Sequence, residues 1–202
     1  WLPGQSRALG YWVTTQTPLS QDDFPCLLQI TTSGFSLAWI TLSDSGVQGK
    51  RKDTSGPQIP ELISKYLPLS LNQGFMLSDD AASIQSLLTH LALTEQFDLI
   101  ITTGGTGVSP RDVTADITAA LVQKRLPGFE QAMMNVSLAV TPHAAISRAV
   151  AGILGTCLII NLPGSPKGVR ENLAPLLPAL NHTLDKMHGD PTDCAYSNVH
   201  SR

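Results

Sequence analysis

The sequence predicts an α/β fold, a three-layer sandwich in which a mostly parallel sheet carries helices on both faces. Two observations predict it. Apolar runs of strand length alternate along the chain with segments whose apolar residues recur at helical spacing, the pattern of a parallel sheet covered on both sides. Each run also ends in a polar or glycine-rich segment, and in such sheets ligands bind at the carboxyl ends of the strands. At 202 residues, 42% hydrophobic and 14% charged, the chain suffices for one such domain with a short extension and is neither disordered nor fibrous.

Residues 1–34 are rich in Pro, Gly, Ser, Thr and Gln, with a short extended candidate at 27–31 and no sustained period. They are expected to form an N-terminal extension, or a linker from an upstream domain. The start at Trp1 fits a trimmed part of a longer product. At Phe35 the character changes. The run 35–42 is apolar and of strand length, and the polar loop 43–55 follows. Pro57 suits a first helical position, and Ile59, Leu62 and Ile63 give that helix an apolar face until Pro68 ends it. Residues 69–77 form the second strand. Any of Ser78, Asp79 and Asp80 can cap the next helix, which carries Ile84, Leu87, Leu88 and Leu91 at helical spacing.

Residues 98–103 are the third strand. Beyond its glycine loop, Ile117, Ala120 and Leu121 mark one helix and 129–140 another, where Met133 and Met134 serve as core fillers. The run 156–162 is the most apolar strand. In the turn Pro163-Gly164-Ser165-Pro166, Ser165 is placed as N-cap and Pro166 at the first helical position. A long final helix runs towards Met187, interrupted or kinked by Pro175 and Pro178. The domain is expected over 35–190, with 191–202 as a C-terminal tail.

Several function classes are excluded at this level. A net charge of −3 offers no field for nucleic acid, and Lys50-Arg51-Lys52 is too short to be more than a solvated loop edge. Cys26, Cys157 and Cys194 lack a CxxC spacing, so neither a disulfide framework nor a zinc site is expected, and a reducing cytoplasm is the natural compartment. Cys157 reads as a buried, inert thiol. His182, His188 and Cys194 match no metal-ligand spacing and read as surface residues. No segment approaches the ~20 apolar residues of a membrane span. No signal peptide is expected either, because no basic region with a following apolar core stands at the start.

The chemistry concentrates in Thr102-Thr103-Gly104-Gly105-Thr106-Gly107-Val108-Ser109-Pro110-Arg111-Asp112-Val113-Thr114. Glycines permit positive φ and close approach of the backbone to a ligand, and successive free N–H groups in such a turn surround an anion. Asp112 adds the oxygen a hard cation needs beside a phosphate. The P-loop lysine and the dinucleotide GxGxxG spacing are both missing. Taken alone, Gly-Gly-Thr-Gly serves equally well as a tight structural turn.

With three further segments the chain resembles the molybdopterin adenylyltransferases, the MogA/MoaB type of molybdenum-cofactor biosynthesis domain also found as the G domain of gephyrin and its plant relatives. These are Ile40-Thr41-Leu42-Ser43-Asp44 with Asp53-Thr54-Ser55-Gly56-Pro57, then Ser78-Asp79-Asp80, and Asn161-Leu162-Pro163-Gly164-Ser165-Pro166-Lys167. Pro127-Gly128-Phe129 and Ser147-Arg148 support the match, which covers about 35–187. Ser78 departs from it, standing where many relatives have proline.

The resemblance implies the molybdenum cofactor biosynthesis fold, a homotrimer, and Mg²⁺-dependent transfer of AMP from ATP to the terminal phosphate of molybdopterin. Pyrophosphate leaves, and the pterin is prepared for molybdate or tungstate insertion. By resemblance, Asp79 and Asp112 are the essential carboxylates that position Mg²⁺ and the reacting phosphates. Gly104, Gly105, Thr106 and Gly107 cradle phosphate, with Ser109 in the same binding loop. Ser43, Asp44, Pro163, Gly164 and Ser165 line the nucleotide and pterin pockets, and Asp53 and Ser55 belong to a loop at the site. The plain structural alternatives are a helix cap for Asp79, a turn cap for Asp112 and an exposed loop acid for Asp53. The implied partners are molybdopterin, ATP and a molybdate-insertion enzyme, with no nucleic acid and no membrane. The alternative function is a molybdopterin-binding or trimeric scaffold module without transferase activity.

Overall fold

The computed structural model describes residues 34–191. The extension expected over 1–34 save its last residue, the extended candidate at 27–31, Cys26, Cys194 and all but the first residue of the expected tail lie outside the described residues.

A six-stranded sheet forms the middle layer, in the order β2-β1-β3-β6-β5-β4. Its strands are β1 Phe35–Leu42, β2 Leu69–Leu77, β3 Leu99–Thr103, β4 Lys124–Arg125, β5 Ala151–Leu154 and β6 Cys157–Leu162. The pairs β1–β2, β1–β3 and β3–β6 are parallel, while β6–β5 and β5–β4 are antiparallel. Every residue of β3 and β6 is buried, as expected of central strands covered on both faces.

Side chains of a strand alternate between faces, and the two cores follow that alternation. On one face Leu37, Leu99, Ile101, Leu158 and Ile160 pack against α2 Gln58–Ile63, α5 Pro127–Val140, α6 Pro166–Leu173 and α7 Leu177–Met187. On the other, Ala38, Ile40, Ile100 and Ile159 pack against α3 Ala81–Thr89, its π-helical continuation His90–Thr94, and α4 Thr114–Leu121. The expected three layers are present. No helix among the described residues is long and apolar enough to cross a membrane.

The structure refines several sequence expectations. Loop 43–55 contains a short helix, α1 Asp44–Val47, whose N-cap Ser43 accepts from the Gly46 N–H. Pro57 is the N-cap of α2 and not its first residue. The interruption expected in the final helix is a break into α6 and α7 over 174–176, and Pro178 lies in the first turn of α7, where the missing N–H needs no partner. Strands β4 and β5 lack a recognisable run of their own. They pair because β6 offers an edge, with Gly155 turning the β5–β6 hairpin at φ +62°.

Burial pushes the Cys157 thiol far up, as the inert reading requires. His188 does more than sit on the surface: its Nε2 lies 2.9 Å from Asp98 Oδ1 and its ring 5.9 Å from that of Phe35, joining the end of α7 to the start of β1.

Register fixes where the site lies. Leu42 pairs with Leu77, Thr41 with Thr103, and Thr103 with Leu162, so four parallel strands end at one level. The loops 43–56, 78–80, 104–113 and 163–165 therefore open on one edge of the sheet, as predicted. Just below that edge Asn161, fully buried, donates to Thr102 Oγ1 and Thr118 Oγ1 at 2.9 Å each and accepts from the Val150 N–H at 3.3 Å. This ties α4 to the two central strands.

Candidate active site

The glycine loop leaves β3 with Gly104 at φ +108° and Gly105 at φ +64°, conformations that side chains beyond glycine adopt with strain. A Cβ at Gly104 would stand 2.6 Å from the Leu42 carbonyl oxygen, and one at Gly105 would overlap the Thr114 hydroxyl. Arg148 braces the loop from behind. Its backbone N–H donates to the Thr106 carbonyl at 2.8 Å, its Nε to the Gly107 carbonyl at 2.7 Å and its Nη2 to the Asp112 carbonyl, while its Nη1 pairs with Asp116 at 2.6 Å. With the carbonyls held in this way, the N–H groups of Gly105, Thr106 and Gly107 make no hydrogen bond to the described residues. An arc of free donors of this kind is suited to an anion.

Asp112 closes the loop. Its Oδ2 accepts from the Ser109 N–H at 2.9 Å, and its own N–H donates to the Ser109 carbonyl at 2.9 Å. Asp79 lies across from it after β2. Burial raises the Asp79 carboxyl above its ordinary value, and the charge of Asp112 adds to the rise. The Asp79 N–H donates to Asp44 Oδ1 at 3.2 Å, and the Arg111 guanidinium pairs with Asp44 while standing 3.9 Å from Asp79. Asp80, by contrast, is the N-cap of α3: its exposed carboxylate accepts from Ser83 N–H at 2.8 Å and Ser83 Oγ at 2.6 Å. Asp79 is thus free of the capping role.

No cluster of three or more His, Cys, Asp or Glu among the described residues is arranged to hold a metal. Two acids near enough for the charge of Asp112 to act on Asp79, one of them within the glycine loop, nevertheless fit Mg²⁺, which commonly uses one or two protein carboxylates and completes its shell with water and phosphate oxygens. Asp79 and Asp112 are the residues that would hold it.

Five of the predicted residues, Ser43, Asp53, Ser55, Gly164 and Ser165, line a cavity of about 300 Å³ whose wall includes none of Asp79, Asp112 and the glycine loop. Both Asp53 oxygens are engaged, one by Thr41 Oγ1 at 2.6 Å and the other by the N–H groups of Ser55 and Gly56 at 2.9 and 3.0 Å. Ser55 Oγ donates to the Gly164 carbonyl at 2.8 Å, and Thr103 Oγ1 to that of Pro163 at 2.8 Å. A Cβ at Gly164 would lie 3.3 Å from Gly104 Cα, so the two turns meet backbone to backbone. Ser165 caps α6 by accepting from the Gly168 N–H at 3.0 Å, as the sequence predicted.

Arg51 and Lys52, which read as a solvated loop edge, line the same cavity. A larger cavity of about 620 Å³ lies between α4, α5 and residues 147–150 and includes none of the predicted residues. Sequence reasoning left Arg111, Arg148 and Thr114 without a role. The first two were visible as charged residues within matched segments, whereas the unmet hydroxyl of Thr114 has no sequence signal.

Residues 38–182 match the family model described as a probable molybdopterin binding domain. The chain is 40% identical over 153 residues to the molybdopterin adenylyltransferase of Helicobacter pylori strain J99, covering 75% of this chain and 86% of that protein. It is 40% identical over 164 residues to the gephyrin of Dictyostelium discoideum, again over 75% of this chain, but it spans only 22% of the length of that relative. Among solved structures it is similar to the molybdopterin biosynthesis enzyme MoaB of Thermus thermophilus. The TM-score there is 0.70 at 41% identity, covering 79% of this chain and 99% of that one.

Proposed function

The chain belongs to the molybdopterin-binding domain family, and from that premise we propose that it acts in molybdenum cofactor biosynthesis as a molybdopterin adenylyltransferase. The observation that carries the reading is the glycine loop, whose Gly105, Thr106 and Gly107 N–H groups are free and whose end is closed by Asp112, in a chain 40% identical to a molybdopterin adenylyltransferase. Two polyanions have to meet for this reaction, and the loop offers donors where phosphate charge collects.

In the proposed mechanism, ATP lies with its phosphates along Gly104, Gly105, Thr106 and Gly107, and molybdopterin enters beside it over Ser43, Asp44 and the 163–165 turn. An ionised oxygen of the terminal phosphate of molybdopterin attacks the α-phosphorus of ATP. The bond from that phosphorus to the β-bridging oxygen breaks, and pyrophosphate leaves with the bonding electron pair. No side chain acts as nucleophile. When bound, Mg²⁺ supplies positive charge to the phosphate oxygens. Asp79 and Asp112 orient that site, Arg111 offers a second cation at its rim, and Arg148 holds the loop in its anion-accepting shape.

The catalytic domain in this reading spans 35–190, with 1–34 as an extension and 191–202 as a tail, and it works in the cytoplasm as a homotrimer. The trimer is supported by the exposed apolar side chains Leu138 and Val140 at the end of α5 and Ile146 in the following turn. The adenylylated pterin would pass to a molybdate-insertion enzyme. The testing experiment is incubation with molybdopterin, ATP and Mg²⁺. Pyrophosphate and adenylylated pterin are the expected products, and their absence from well-folded protein overturns the reading.

A further inference from the structure

Among the described residues, Thr114 Oγ1 is the buried side-chain oxygen that finds no hydrogen-bond partner. The contrast with its neighbours is clear: the equally buried Thr102 and Thr118 hydroxyls are both engaged by Asn161 at 2.9 Å. A buried hydroxyl without a partner is a standing loss in the ligand-free protein. Thr114 is also the first residue of α4, an eight-residue helix whose N-cap, Val113, has no side-chain acceptor for the first-turn N–H groups.

The position of this hydroxyl gives it meaning. A Cβ at Gly105 would overlap Thr114 Oγ1, so the hydroxyl lies directly against the second glycine of the loop, the latter of two successive residues with positive φ. The unmet hydroxyl thus stands at the uncapped start of α4 and against Gly105, one of the loop residues whose N–H is free. Two acids are near: Asp116 in the first turn of α4, whose charge is met by Arg148 Nη1 at 2.6 Å, and Asp112, whose Oδ2 accepts from the Ser109 N–H at 2.9 Å. What would satisfy the hydroxyl and the helix start together is an anion with several acceptor oxygens.

We propose that Thr114 is a phosphate-binding residue, its hydroxyl donating to a non-bridging oxygen of the phosphate group held by Gly105, Thr106 and Gly107. The proposal rests on reading that loop as the phosphate cradle and adds to it the side chain that senses whether the cradle is filled. Filling it turns an unsatisfied buried group into a charge-assisted hydrogen bond, so the same residue weakens the empty protein and strengthens the bound one.

The test measures pyrophosphate binding by calorimetry, with Mg²⁺ present, alongside thermal unfolding without ligand, for the full chain and three variants. Thr114→Val keeps the buried volume and deletes the hydroxyl. Its ligand-free melting temperature should rise above wild type while its pyrophosphate affinity falls at least about tenfold, the worth of a hydrogen bond to a charged group. Thr114→Ala should lose affinity by a similar factor, which keeps the test alive if valine disturbs the fold. Thr114→Ser should bind within about twofold of wild type, because it retains the donor. Wild-type affinity in both Val and Ala variants overturns the role of Thr114 and leaves the cradle intact. Absence of pyrophosphate binding by the wild type itself overturns cradle and proposal together.

Discussion

Arg148 Nε donates to the Gly107 carbonyl across 2.7 Å, joining residues 41 apart in the chain. The same guanidinium reaches the Asp112 carbonyl and Asp116, so one side chain holds both ends of the loop that carries the proposed chemistry. A planar fork with several donors can do this, and a lysine ammonium cannot match its geometry.

Arg148→Lys should therefore behave much like Arg148→Ala. Both are expected to lower kcat/KM for adenylyl transfer by at least about tenfold, since misplacing a positioning group by an ångström costs rates of this order or more. Steady-state kinetics with both variants checks this, and full activity in the lysine variant would show that charge alone is sufficient.

How much of this was readable beforehand depends on whether a feature is local. Strands β1, β3 and β6 stood out as apolar runs bounded by polar residues, β2 as a segment of alternating character, and Ser165-Pro166 announced α6 by its cap chemistry. β4 has only two residues and β5 four, one of them Gly152, so their pairing follows from the edge of β6 and not from any run of their own. Ser78, Asp79 and Asp80 are equivalent cap candidates on paper. Only the Ser83 N–H meeting the Asp80 carboxylate separates the capping acid from the one facing Asp112. The brace from Arg148 and the orphaned hydroxyl of Thr114 are tertiary facts, invisible to any window along the chain.

Asp79 should leave a signature in stability against pH. Burial and the charge of Asp112 raise its carboxyl above the ordinary 3.8, and Arg111, paired with Asp44 and 3.9 Å from Asp79, does not reverse the rise. The native state then holds the proton more tightly than the unfolded state. This contribution is most favourable below 3.8 and declines as pH rises through the raised native value. Asp79→Asn removes the decline, so it should melt higher than wild type at pH 7, with the gap closing towards pH 3. A variant that melts lower at pH 7 would contradict the electrostatics assigned to the pair.

Asn161 tests the support beneath the loop. Asn161→Ala strands the Thr102 and Thr118 hydroxyls and the Val150 N–H in a fully buried setting. Buried groups left unpaired in this way cost together about 3 kcal/mol, a drop of roughly 6–12 °C in melting temperature for a domain of this size. Thermal unfolding followed by circular dichroism reads it. A shift under about 2 °C would mean that the network is dispensable.

The most direct measurement is single-turnover adenylyl transfer, with ATP, Mg²⁺ and molybdopterin, by wild type and by Asp79→Ala, Asp112→Ala and Asp80→Ala. Removing either paired carboxylate should slow transfer by at least about a hundredfold, because each orients charge stabilisation worth on the order of 3 kcal/mol in the transition state. Asp80→Ala, which loses only the cap of α3, should keep a rate within a few-fold of wild type and melt slightly lower. Equal loss at Asp79 and Asp80, or near-normal transfer by Asp112→Ala, would contradict the two-carboxylate account.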